Sequence, residues 1–141
     1  MSLVQGKTRV LIVDDEAFVA RMLQRSLEKT GMYAVKIEDR GARGLMSARQ
    51  FQPHVILLDI VMPDRSGIDV AAEIQADGTL KDIPIIFLSA ISSTSHLMAE
   101  GQFMSGYPLL PKPSRFQDVM ACIERQLQAR SFVKAEPGQA A

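Results

Sequence analysis

Five short apolar runs alternate with stretches of helical spacing, and this alternation restricts the chain more than any other feature. "RVLIV" (Arg9 to Val13), "YAVKI" (Tyr33 to Ile37), Val55 to Leu58 and "PIIFLS" (Pro84 to Ser89) read as strands. A brief fifth lies at Leu109-Leu110, and the flanking Pro108 and Pro111 suit an edge position. Phe18, Val19, Met22, Leu23 and Leu27 recur at helical spacing, with Gly31 as the stop. Shorter helices follow over Ala42 to Arg49 and Ile68 to Ile74, the latter opened by Ser66-Gly67. A fourth is predicted over Thr94 to Ser105 and a last over Phe116 to Leu127. Strand, helix, strand, five times over, gives an α/β domain: a doubly wound parallel sheet with helices on both faces. Strands one, three and four are nearly continuous apolar runs, as strands covered on both sides must be.

The chain of 141 residues suits one domain of ordinary size, with 47% hydrophobic residues to fill its core. We place that domain at residues 8–130 and read 131–141, which has little to bury, as a flexible tail. Sixteen basic residues balance sixteen acidic ones, so there is no electrostatic case for nucleic acid or an anionic membrane. No apolar run approaches the ~20 residues a membrane span needs. The single Cys122 excludes an internal disulfide and is read as half-buried and inert; a reducing, cytoplasmic location follows.

In open parallel sheets the ligand crevice lies beyond the carboxyl ends of the strands. Here those ends carry Asp14-Asp15, Asp59, Ser89 and Lys112. Three clustered carboxylates repel one another and need a counter-charge. A hard divalent cation with oxygen ligands, Mg2+, supplies it, and Lys112 adds to it. The set is what phosphoryl transfer requires. Asp59 is the candidate nucleophile, forming an acyl phosphate. Asp14, Asp15 and Asp59 are candidate metal ligands, and Lys112 and Ser89 would meet the remaining phosphoryl oxygens.

"LIVDDE", "VILLDIVMPDRSG", "IIFLSA" and "LLPKP" together resemble the four signature segments of the response-regulator receiver domain. They stand in order, 45 residues from Asp14 to Asp59, 30 on to Ser89 and 23 on to Lys112. The resemblance implies a flavodoxin-like (βα)5 domain with strand order 2-1-3-4-5. It implies phosphorylation of Asp59 by a sensor histidine kinase or a histidine phosphotransfer protein. It implies a backbone carbonyl metal ligand at Val61 and a cis Lys112-Pro113 bond. Such a domain assists its own phosphorylation and dephosphorylation without being a turnover enzyme. The switch would act on an output partner or on an output domain outside these residues. A homodimer would use the fourth helix, fifth strand and fifth helix.

One position departs from the family's pattern, and two others bear on the lifetime of the phosphoryl group. The aromatic residue usual three positions before the lysine is Leu109 here, and the nearest aromatic is Tyr107. The signal is therefore expected to pass through the loop after Ser89 and the fourth helix. Val61 and Ile91, two positions after Asp59 and Ser89, are apolar and cannot orient an attacking water, so slow self-dephosphorylation is expected. Blander readings stand beside these. Asp14 or Asp15 could cap the first helix, His54 and His96 are surface or loop histidines, and Arg40, Arg43 and Arg49 form a solvated face. Two other function classes share parts of the pattern. An aspartyl-nucleophile phosphatase or phosphotransferase would place alternating acids after the first strand, where this chain has adjacent ones. A flavodoxin-like cofactor binder would want a small-residue phosphate loop where Asp14-Asp15-Glu16 stands.

Overall fold

The computed structural model describes residues 6–90, 103–104 and 106–140, with side chains taken up to residue 129 and not at 103–104. Strand β1 (Thr8–Val13) is followed by helix α1 (Ala17–Lys29), β2 (Tyr33–Glu38), a 3-10 turn (Gly41–Arg43) and α2 (Gly44–Phe51). Then come β3 (Val55–Asp59), α3 (Gly67–Ala76) and β4 (Ile85–Ser89). A two-residue strand β5 (Phe103–Met104), β6 (Tyr107–Pro111) and α4 (Phe116–Ala140) complete the order. The α4 backbone carries helix through the stretch that composition assigned to a tail.

The sheet order is β2-β1-β3-β4-β6-β5. Its first five strands are parallel, in the order the resemblance implied, β6 being the expected fifth strand. Alternate residues of each strand enter opposite layers, because successive side chains point to opposite faces. Leu11, Val13, Ile56, Leu58, Ile85 and Phe87 pack with Ala48 of α2 and Val70, Ala71 and Ile74 of α3. Val10, Ile12, Val55, Leu57, Ile86 and Leu88 pack with Ala20 and Leu27 of α1 and Val119, Cys122 and Ile123 of α4. Both faces of the central strands are thus covered, which is why those strands are apolar at every position rather than at every second one.

The helix expected over Thr94–Ser105 lies mostly outside the described residues, and its last part is corrected. Phe103–Met104 is extended and pairs antiparallel with β6, Met104 opposite Tyr107. Two residues join the strands, and Gly106 has a φ of +85°, which a tight hairpin needs and a helix does not tolerate. The prolines at 108 and 111 do mark the last parallel strand, but its outer edge is covered by β5 rather than open. At the other edge the peptide groups of Val35 are met from α1. The Gln24 side-chain amide donates to the Val35 carbonyl at 3.1 Å, and the Glu28 carboxylate accepts the Val35 N–H at 3.0 Å.

Smaller expectations divide. Gly31 does end α1, with φ +80° and its N–H donated to the Glu28 carbonyl at 3.0 Å. Cys122 is not half-buried but 2% exposed, and burial pushes its thiol pKa up. His54 is not a plain loop residue: its Nδ1 accepts the Arg9 N–H at 2.9 Å and its own N–H donates to the Arg9 carbonyl at 2.8 Å. It pins the start of β3 to β1. His96 lies outside the described residues. Of the three arginines read as solvated, Arg49 bonds Asp77 at 2.8 Å across the α2–α3 side.

Candidate functional site

Parallel pairing in register brings the carboxyl ends of the strands to one edge. Val13 lies opposite Leu58, Asp59 opposite Leu88, and Ser89 opposite Pro111. The next residue after β1 is therefore Asp14, the last of β3 is Asp59, the last of β4 is Ser89, and the first after β6 is Lys112. The Lys112 N–H donates to the Ser89 carbonyl at 2.9 Å, fixing where the lysine leaves the sheet. The Lys112-Pro113 bond is cis, as the resemblance implied.

Asp14, Asp15 and Asp59 each place a carboxylate oxygen within 4.8 Å of the others. Asp14 and Asp59 are 0% and 3% exposed, and Asp15 stands more open at the mouth. The Lys112 ammonium donates to Asp14 at 3.0 and 3.1 Å and to Asp59 at 3.1 Å. It also meets the Glu16 carboxylate at 2.5 Å. Ser89, 2% exposed, lies at the adjoining strand end. Among the described residues, one ammonium thus meets three carboxylates, with Asp15 beside them. An all-oxygen donor set with surplus negative charge fits a hard divalent cation.

The electrostatics follow from burial and neighbours. Burial pushes the Asp59 pKa up to about 6, the Lys112 hydrogen bond opposes this, and the nearby Asp14 charge adds to the rise. The Lys112 ammonium loses water on burial, which favours the neutral amine, but bonds from Glu16, Asp14 and Asp59 outweigh that and hold its pKa above the ordinary lysine value. The site holds a carboxylate whose charged form is disfavoured by burial beside a lysine that stays charged. Such separated environments are the usual mark of a reacting pair.

The loop after β3 explains the segment that follows Asp59. The Val61 N–H donates to Asp59 at 3.3 Å, and the Val61 side chain is 58% exposed. Gly67 donates to the Ile60 carbonyl at 2.8 Å, and an added Cβ would lie 2.1 Å from the Asp59 carbonyl oxygen. No other residue type fits that approach. Ser66 caps α3 by accepting the Ile68 N–H at 3.1 Å. Asp64 accepts the N–H groups of Gly41 and Ala42 at 3.2 and 2.9 Å, tying this loop to the start of the α2 segment.

Every site residue singled out from the sequence and lying among the described residues stands at this one edge. Ile91 lies outside them. Asp14 takes no cap of α1. It accepts the Glu16 N–H at 2.9 Å, while Glu16 occupies the N-cap position without a side-chain cap bond. Sequence reasoning missed Glu16. Its only signal was a third acid directly after the Asp14-Asp15 pair.

A family model described as "Response regulator receiver domain" matches residues 10–124. Response regulator MprA of Mycobacterium leprae is 32% identical over 120 residues, covering 85% of this chain and 51% of that protein. The chain thus spans about half the length of this curated relative. A putative response regulator from Chloroflexus aurantiacus superposes with a TM-score of 0.71 at 26% identity, over 86% of this chain and 98% of that one. A sensor protein from Polaromonas sp. shares the fold, with a TM-score of 0.74 at 22% identity over 87% and 98% of the two chains. The matched segment contains the acid cluster, the serine and the lysine, and no comparison supports a phosphatase or a flavodoxin-like cofactor binder. The chain belongs to the response regulator receiver domain family of two-component signalling.

Proposed function

We propose that Asp59 is the phosphoacceptor and that residues 8–130 act as the switch. The observation that carries this is the shared lysine: one buried ammonium joins Asp14, 98 residues away in sequence, to Asp59, 53 residues away. A phosphohistidine donor, on a sensor histidine kinase or a histidine phosphotransfer protein, loses its P–N bond as the Asp59 Oδ–P bond forms. The imidazole leaves with the electron pair. Lys112 and the Ser89 hydroxyl bind phosphoryl oxygens, and Asp14, Asp15, Asp59 and the Val61 carbonyl would hold Mg2+. Bound there, the cation would supply positive charge against the clustered carboxylates and the phosphoryl oxygens. The reaction stores a phosphoryl group on the protein, so the domain is a substrate and switch rather than a turnover enzyme.

The donor's docking place is supported by an apolar groove of about 410 Å3 between α1 and α4, beside Asp14 and Lys112. Phe18 and Met22 on its rim are 76% and 55% exposed. The output is a separate protein or a domain outside this chain, and a second copy would meet the face of β6 and α4. No helix among the described residues is long and apolar enough to cross a membrane. A phosphohistidine donor of this class would place the reaction in the cytoplasm. Incubation with Mg2+ and acetyl phosphate, followed by peptide mass mapping, tests the proposal. Label at Asp59, lost in Asp59→Asn, is the expected result; label elsewhere overturns it.

A further inference from the structure

We propose that Glu16 is a positioning residue that holds Lys112 in the resting site and must release it before Asp59 accepts a phosphoryl group. This rests on the phosphoacceptor reading of Asp59.

Glu16 stands at the N-cap of α1, its carbonyl accepting the Ala20 N–H at 3.1 Å. An N-cap side chain ordinarily accepts an orphan N–H of the first turn, and Ser, Thr, Asp or Asn does this best. Glu16 makes no such bond. Its carboxylate instead meets the Lys112 ammonium at 2.5 Å, closer than either Asp14 or Asp59 comes. The Lys112 side chain is 6% exposed and that of Glu16 54%. Glu16 is therefore the carboxylate on the solvent side of the ammonium, the side from which a donor approaches. A lysine ammonium has three donors. Asp14, Asp59 and Glu16 occupy them, which leaves none for an incoming phosphoryl oxygen.

With a small acyl phosphate the balance is simple. An Asp59 Oδ–P bond forms, the P–O bond to the donor's carboxylate breaks, and that carboxylate leaves with the electron pair. The phosphoryl oxygens then need the Lys112 donor that Glu16 holds, and the Glu16 charge repels them as they arrive. Asp14 stays with Lys112 throughout, since both are buried. Only Glu16 is placed to exchange.

The test uses the full chain, Mg2+ and acetyl phosphate, with uptake followed by intact mass. Glu16→Gln removes the charge. Glu16→Asp keeps it but is one methylene shorter, so it caps α1 and loses its reach to Lys112. Both variants should take up phosphoryl groups about two- to fivefold faster at low salt, the range of a part-exposed ion pair. Added salt should speed the wild-type toward the variants, because the pair is screened. In the metal-free protein, the Lys112 ammonium protons should exchange with water faster in both variants by NMR. Variant rates equal to or below wild-type, with wild-type label still on Asp59, overturn this proposal alone. Absence of label on Asp59 in the wild-type overturns the phosphoacceptor reading and this one with it.

Discussion

Tyr107 stands edge-on to Phe87, ring centroids 5.4 Å apart and planes at 87°. Phe87 is fully buried and lies opposite Leu109, itself 5% exposed, the residue three positions before Lys112. Tyr107 is two residues further from the site on the same face, with Gln75 of α3 as the hydrogen-bond partner of its hydroxyl. Its ring is a wall of the core rather than a lever at the site. Tyr107→Ala should cost about 2 kcal/mol of stability, from lost apolar burial and the ring pair. It should leave unchanged the phosphorylation-induced change in amide exchange beyond Ser89, apart from its uniform effect on stability. Loss of that change in Tyr107→Ala would show that the ring carries the signal.

Gly67→Ala should lower stability by about 3 kcal/mol, because backbone atoms stand where the methyl group must go. The atom it strikes is the Asp59 carbonyl oxygen, so phosphoryl uptake should fall as well. Ser66→Ala, which removes only the α3 cap, should cost about 1 kcal/mol and leave the uptake rate intact. Chemical denaturation and intact-mass kinetics on the two variants separate the effects.

Asp59 has its folded pKa raised to about 6, so protonation favours the folded state. The stabilisation from its protonated form is fully present below the unfolded carboxyl value, about pH 4. It is lost as pH rises through about 6. At pH 7.5 in chelator, Asp59→Asn should therefore be more stable than wild-type by about 1 kcal/mol, after allowance for solvent screening. At pH 3.5 the difference should be near zero. Mg2+ should stabilise wild-type more than the variant, since the variant loses one charged ligand. Thermal unfolding at both pH values, with and without the metal, checks all three.

Val61 presents an exposed apolar side chain beside Asp59, with no group to orient water. Replacing Val61 with Asn and Ile91 with Glu should hasten loss of the phosphoryl group about tenfold, the worth of one hydrogen bond to the attacking water. Chase kinetics after removal of the phosphodonor measure it. An unchanged half-life would mean that the two positions do not limit access.

The architecture was legible where a residue's environment repeats along the chain. Arg9 to Val13, Val55 to Leu58 and Pro84 to Ser89 are buried on two sides, and that demands apolar residues at every position. The acid cluster was legible because several residues had to agree at fixed strand ends. What escaped depends on single long-range contacts. Glu16 meets a lysine from the far end of the chain, and His54 bonds the backbone of Arg9. Phe103–Met104 is too short to show any period, and its strand conformation is set by the partner strand and by Gly106. The 3-10 turn at Gly41–Arg43 was likewise hidden, since Asp64 from the next loop organises it.

The ends of the sheet carry a consequence for how copies of this protein can meet. Bare strand margins invite neighbours to add on, and runaway addition yields fibres. Here Gln24 and Glu28 occupy the outward peptide of Val35, and among the described residues the opposite margin finishes in the two-residue strand β5. Self-association by continuing the ladder is therefore blocked on one side and starved of length on the other. A pairing of subunits controlled by phosphorylation would then draw on side chains, such as those of the β6 and α4 face, whose contacts can be made and broken without unzipping the core.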